Sequence, residues 1–394
     1  MILILEYILQ LVLSLHAMSY FKVTGNRKMH KLIARLIAAS TLLIAAFAFA
    51  GGEAGQLVLR DIGYRFIGHT TEQNENGSLN VLNSMFVHYV LPANPQHRYP
   101  IVMIHGGGGQ GTDWLETPDG RDGWVDYFVA DGWDVYVIDR PSHGRSQSNP
   151  VCAESVMTLG GFANTELVSL LSTADSDLWP GGQPTMTNDA VVGWTASSST
   201  APYCGDAVAA ETISTLLDEI GPAILIAHSA GGGSTFRVPD HNAENVVGII
   251  AFEPAGGNPL MPLLGGPPAI TNWQTEPALA DDFLPVDRNG CPMQGENPGQ
   301  LVNYEGVPLV LAATEHGLQV LSQLGVINET SASRENIDCE LAAWRQAGVD
   351  VTGVYFPDRG LSGGGHFAMA QLDSAEYAQV FIELAEEIEA ASDK

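Results

Sequence analysis

The sequence predicts an α/β domain: a mostly parallel central sheet covered by helices on both faces, with two loop-rich cap insertions. Three observations carry this. Short apolar runs without polar alternation recur along the chain, as expected of strands buried on both sides. Helical stretches separate them, the alternation typical of parallel sheets. Several runs end directly in glycine-rich or polar turns, where such sheets gather their active sites.

The elements follow in order. Asn80–Leu91 reads as one extended run carrying Val81, Met85, Val87 and Tyr89. Pro100–Ile104 is a short strand ending at His105. Asp122–Ala130 reads as a helix and Trp133–Ile138 as a strand ending at Asp139. Ala207–Ile220 is amphipathic, with Val208, Ile213, Leu216 and Leu217 on one side. Ala223–Ala227 and Val246–Phe252 are buried-type strands. Val307–Ala312 and Val351–Phe356 follow, and a closing helix runs from Ser374 to about Ala391. Residues 149–203 and 256–304 break this rhythm. They are rich in Ser, Thr, Gly, Asn and Pro and contain Trp179, Trp194 and Trp273. Loops of that length are rare unless they cover a site, so both are expected to be insertions roofing the strand ends.

Composition narrows the class. The chain has 394 residues, with 45 Asp+Glu against 17 Lys+Arg, and its hydrophobic fraction of 45% excludes wholesale disorder. Beyond residue 50, 44 acidic residues face 12 basic ones, and no basic cluster remains for a nucleic acid to bind. Residues 1–50 read as a leader and 51–394 as the folded domain. Arg27, Lys28, Lys31 and Arg35 precede the apolar stretch Leu36–Phe49, and Ala48-Phe49-Ala50 is a small-x-small cleavage signature. A second apolar stretch, Met1–Tyr20, fits either an over-called start, with translation from Met29, or a short membrane hairpin. No membrane span is expected in the mature chain.

Cys152, Cys204, Cys291 and Cys339 all lie beyond the leader, which suits two disulfides in a secreted or periplasmic protein. Nearest-neighbour pairing, Cys152–Cys204 and Cys291–Cys339, would staple one insertion each. No metal site is expected, because no CxxC pair or His at ligand spacing accompanies them.

Two serines match a nucleophile pattern. Gly360-Leu361-Ser362-Gly363-Gly364 is the literal G-x-S-x-G, and Ala227-His228-Ser229-Ala230-Gly231 a looser one. Such an elbow needs a strand running in, a helix running out and tiny neighbours. Ser229 has the strand Ala223–Ala227 before it and Gly231-Gly232-Gly233 opening a short helix that Pro239 is expected to stop. Ser362 has no helix-forming sequence directly after it and lacks a downstream acid followed by a second histidine, which the order Ser, acid, His requires.

The set His105-Gly106-Gly107-Gly108-Gly109, Asp139–Ser146, Ala227–Gly231 and Gly365-His366-Phe367 resembles the α/β-hydrolase superfamily over roughly residues 80–390. Within it the chain is similar to secreted bacterial Ser–Glu–His esterases whose acid follows the sixth strand. Ala227 stands where Gly is usual, at a position that requires smallness. The resemblance implies Ser229 as nucleophile and His366 as base. Most members carry their acid after the seventh strand, which here leads into Thr314-Glu315-His316 with no Asp. Val246–Phe252 instead runs into Glu253-Pro254, so Glu253 is the expected acid and Glu315 the alternative. Backbone amides of Gly107 and Ala230 are the implied oxyanion donors.

The function expected is hydrolysis of a small carboxylic ester through an acyl-enzyme, without cofactor. A lipase, lactonase or peptidase could use the same residues, and a catalytically silent binding protein is the alternative from another class. An Asp-dependent dehalogenase or epoxide hydrolase does not fit Ser229. A homodimer is compatible with the sequence.

Overall fold

A computed structural model describes residues 56–392 apart from 148–155, 158–177, 186, 199–200, 203–204, 255, 261–267, 281–282, 289–290 and 318–333. The leader, Cys152 and Cys204 therefore lie outside the described residues. The frame is an eight-stranded sheet: β1 (Leu59–Ile67), β2 (Met85–Pro92), β3 (Ile101–Ile104), β4 (Val135–Asp139), β5 (Ala223–His228), β6 (Val246–Phe252), β7 (Leu309–Ala313) and β8 (Val351–Tyr355). Their spatial order is β1-β2-β4-β3-β5-β6-β7-β8. β2 runs antiparallel to both β1 and β4, and the remaining pairs are parallel.

The apolar runs make strands because both of their faces are covered. Along β5, Ile224 and Ile226 enter one core layer while Ala223, Leu225 and Ala227 enter the other. β3 divides in the same way, the period of two expected of a pleated strand, and β6 does so from Ile249 to Phe252, after an irregularity in its register between Val246 and Gly248. Eight helices accompany the sheet among the described residues: α1 (Thr112–Leu115), α2 (Trp124–Asp131), α3 (Asp189–Ser197), α4 (Asp206–Ile220), α5 (Gly231–Thr235), α6 (Val238–Asn242), α7 (Arg334–Gln346) and α8 (Ser374–Ala391). One layer holds Trp124 and Phe128 of α2 with Tyr377 and Phe381 of α8. The opposite layer holds Ile213, Leu216 and Leu217 of α4 with Ile337, Leu341 and Trp344 of α7. Both sets recur at helical spacing, and each fully buried side chain of this size contributes on the order of 2 kcal/mol. No helix among the described residues is long and apolar enough to cross a membrane.

Several elements differ from the sequence reading. The run Asn80–Leu91 is two strands, because Asn83 adopts a left-handed φ of 59° between them. Leu79–Leu82 forms a hairpin with Thr70–Gln73, and only Met85–Pro92 joins the main sheet. Pro239 does not stop the helix after Ser229. That helix ends at Thr235, and Pro239 lies in the first turn of α6, where its missing N–H costs no helical bond. β1 and α7 have no counterpart in that reading.

The insertions also divide their roles. In the first, Trp194 of α3 packs edge-on against Phe367, with ring centroids 5.4 Å apart. In the described part of the second, Trp273 stacks on Trp344 of α7 at 5.3 Å and Tyr304 donates to the carbonyl of Phe236 at 2.7 Å. That part fills the α7 flank of the sheet rather than roofing strand ends. A disulfide joins Cys291 to Cys339, as expected, and ties a hairpin of this insertion (Val286–Arg288 with Cys291–Met293) to α7.

The strand order changes direction between β3 and β5. β3 has β4 on one side and β5 on the other, so the chain leaves the two strand ends in opposite directions. A crevice opens at such a point, beyond the carboxyl ends of the strands. His105–Gly109 follows β3 there, and Ser229 follows β5.

Candidate active site

Ser229 sits in a strained turn. Its φ is 49°, a left-handed value uncommon for any residue but glycine. The surroundings hold it there: its N–H donates to the carbonyl of Phe252 at 3.0 Å, and its carbonyl accepts from Gly232 at 2.9 Å. Small residues are obligatory around the bend. A Cβ on Gly231 would lie 2.6 Å from the carbonyl oxygen of His105, and one on Gly106 would lie 3.0 Å from Cβ of Ser229. Ala227, fully buried, pairs with Ile104 on one side and Ala251 on the other.

Glu253 leaves β6 by a similar bend, with φ 43°. Its carboxylate is buried and held from two sides. Oε1 accepts from the backbone N–H of Thr314 at 2.9 Å and also from the Thr314 hydroxyl. Oε2 lies 2.6 Å from Nδ1 of His366. A Cβ on Gly317 would come within 2.1 Å of Oε2, so glycine is what lets that loop close over the carboxylate.

His366 joins the two ends. Its Nε2 lies 2.9 Å from Oγ of Ser229, and the residue is 2% exposed. A carboxylate can only accept, so Nδ1 carries the proton and Nε2 offers its lone pair to the serine hydroxyl. The ring is positioned from behind by His228. Burial holds His228 well below the ordinary histidine range, and its Nε2 contacts the carbonyl of His366 at 2.9 Å. As a neutral ring facing a carbonyl, His228 donates.

The structure thus brings Ser229, His366 and Glu253 into one hydrogen-bonded line. It does not bring Glu315 into that line. Oε2 of Glu315 accepts from the N–H of Gly363 at 3.1 Å, within the loop that carries His366. Ser362 lies in the same loop, after a short 3-10 turn (Phe356–Arg359), and has no strand leading directly into it. Gly107 and Ala230 follow Gly106 and Ser229, whose turns approach so closely that a Cβ on Gly106 would lie 3.0 Å from Cβ of Ser229.

Three supporting residues were missed from sequence. Thr314 follows β7 and orients Glu253 through its backbone N–H and its hydroxyl. Arg140 and His105 brace the glycine turn. Backbone N–H of Arg140 donates to Nε2 of His105 at 3.0 Å, and its guanidinium donates to the carbonyl of Gly106 at 2.8 Å. The signal available was their place at strand ends, His105 after β3 and Arg140 after β4. Two carboxyls nearby are shifted upward. Burial pushes Asp113 up to about 8, and burial with the charge of Glu253 pushes Glu340 up to about 8.

Comparison with known proteins agrees with this architecture. Residues 99–284 match a family described as the alpha/beta hydrolase fold. The chain is 29% identical over 328 residues to a fungal protein named "Probable secreted lipase phiG" (Fungal sp., strain ATCC 74256), covering 76% of this chain and 85% of that one. A solved structure of "a Novel Bacterial Esterase" superposes with a TM-score of 0.62 at 18% identity, over 85% of this chain and 98% of that one. The resemblance to the α/β-hydrolase superfamily holds, and the fold is the α/β-hydrolase fold.

Proposed function

We propose that the protein is an exported serine hydrolase that cleaves carboxylic esters through an acyl-enzyme on Ser229. One observation carries the reading: the continuous line of short contacts from Oγ of Ser229 through His366 to Glu253, at 2.9 Å and 2.6 Å. His366 takes the hydroxyl proton at Nε2 as Oγ attacks the ester carbonyl. Glu253 keeps the other ring proton on Nδ1 and stabilises the imidazolium that forms. The amides of Gly107 and Ala230 receive the negative charge on the carbonyl oxygen, an interaction worth about 3–4 kcal/mol per donor in comparable sites. His366 then returns the proton to the leaving alcohol, and water cleaves the acyl-enzyme by the same route.

Esters are favoured over other acyl substrates by the relative named a lipase and the solved esterase of like fold. The relative also favours a lipid ester as the runner-up, which nitrophenyl esters of graded chain length separate from a short one. Export is supported by the leader, by the Cys291–Cys339 disulfide and by the relative's being named as secreted. Ser229→Ala is expected to lower hydrolysis of a short nitrophenyl ester by at least about a thousandfold while the protein stays folded. Turnover that survives the substitution would move the nucleophile elsewhere.

A further inference from the structure

We propose that Arg140 is a positioning residue for the oxyanion site: it aims the N–H of Gly107 by holding the carbonyl of Gly106 from behind. The inference rests on the ester-hydrolase reading above and adds a residue to it. Arg140 is 1% exposed, although burying a guanidinium is costly and a Met or Leu would fill the same space. Two of its guanidinium nitrogens reach the two turns that carry the expected oxyanion amides. Nη2 donates to the carbonyl of Gly106 at 2.8 Å, and Nη1 reaches the carbonyl of Ala230 at 3.4 Å.

Peptide geometry turns the first bond into a directing device. In a trans peptide the carbonyl of one residue and the N–H of the next point in opposite directions. A carbonyl of Gly106 fixed toward Arg140 therefore sends the N–H of Gly107 the other way. Glycine has no side chain to oppose rotation of that plane, so the turn needs an external brace. His105 is the second brace, with Nδ1 2.7 Å from the same carbonyl. Its tautomer is set by Arg140 as well, because the backbone N–H of Arg140 occupies Nε2 at 3.0 Å and leaves the proton on Nδ1. Burial together with the charge of Arg140 keeps His105 well below its ordinary range, hence neutral. The cation also polarises the Gly106–Gly107 peptide, which strengthens its N–H as a donor at the moment the oxyanion forms.

The test compares Arg140→Met and Arg140→Lys with the wild type on a matched pair of substrates, an oxoester and its thionoester. Misaiming one amide is expected to cost Arg140→Met about 30-fold in kcat on the oxoester, with KM changed by less than about threefold. Sulfur is a weak acceptor, so the thionoester loses less and the preference for oxygen shrinks. Arg140→Lys keeps one charged donor and is expected to recover part of the loss. The pH midpoint of the rate profile stays where it was, because the line from Ser229 to Glu253 is untouched. Thermal unfolding verifies that each variant folds. Should Arg140→Met fail to fold, Arg140→Lys alone carries the test through its reduced oxygen preference. A folded Arg140→Met with kcat within about twofold of wild type, or an equal loss on both substrates, overturns the inference. Ser229→Ala run in parallel separates the two readings. If it is inactive while Arg140→Met is fully active, only the role of Arg140 falls; if it stays active, both fall.

Discussion

At the scale of single residues, the division of labour between Glu253 and Glu315 is the sharpest consequence of the geometry. Glu253 meets Nδ1 of His366, whereas Glu315 caps the N–H of Gly363. Glu253→Gln presents an amide that can stabilise the wrong tautomer, so kcat/KM is expected to fall about 10³–10⁴-fold. Glu315→Gln keeps an acceptor for Gly363, and a loss below about tenfold is expected. Steady-state rates of both variants decide the matter, and equal losses would contradict the assignment. Ser229, Glu253 and His366 were legible in the sequence because each stands at the end of an apolar run or in a glycine-rich loop. Thr314 and Arg140 were not. Their importance lies in what they face across the fold, and a place after a strand, the one signal available, does not tell which partner a threonine or an arginine meets.

At the scale of elements, packing at the bend after β5 is the tightest constraint. Helix α5 approaches β3 so closely that a methyl group on Gly231 would meet both the carbonyl of His105 and Ile104 Cγ2, at 2.6 Å and 3.0 Å. Gly231→Ala is expected to cost about 1–3 kcal/mol of stability by overpacking, and to slow ester hydrolysis by displacing Ser229. Urea unfolding measures the first effect, and an unchanged midpoint would contradict the packing. The turn after β4 is held in another way. Buried Asp139 accepts from the N–H of Gly111 at 2.7 Å and from the N–H and Nε of Arg145, both at 2.7 Å. The central strands and α8 were legible because unbroken apolar runs and helical periodicity are strong local signals. β1 and α7 were not, for opposite reasons. β1 is an edge strand with Ile62, Tyr64 and Phe66 exposed, so it shows no buried run. The charged residues of α7 mask the short stripe of Ile337, Leu341 and Trp344.

At the scale of the whole molecule, buried titratable groups pull stability in opposite directions with pH. Burial pushes Asp113 and Glu340 up to about 8 and Asp373 up to about 6. Unfolded carboxyls lose their protons near pH 4. Between about pH 4 and about pH 8 the folded protein therefore binds more protons than the unfolded chain, and these groups lower stability as pH rises. The histidines act in reverse. Burial holds His143 down at about 3 and lowers His105 and His228 as well. From the ordinary histidine value near 6.5 downward, the unfolded chain takes up protons that the folded core refuses, so stability falls with falling pH. Asp113→Asn removes one of the losses on the alkaline side while keeping an acceptor. Its gain in melting temperature over wild type is expected to be larger at pH 8 than at pH 5. An equal gain at both values would contradict a proton held on Asp113.

The most direct test of the central claim is to treat the purified protein with a fluorophosphonate and locate the adduct by peptide mass spectrometry. A single adduct on Ser229, lost in His366→Ala, is the result expected. An unlabelled folded protein, or an adduct on Ser362 in place of Ser229, would contradict it.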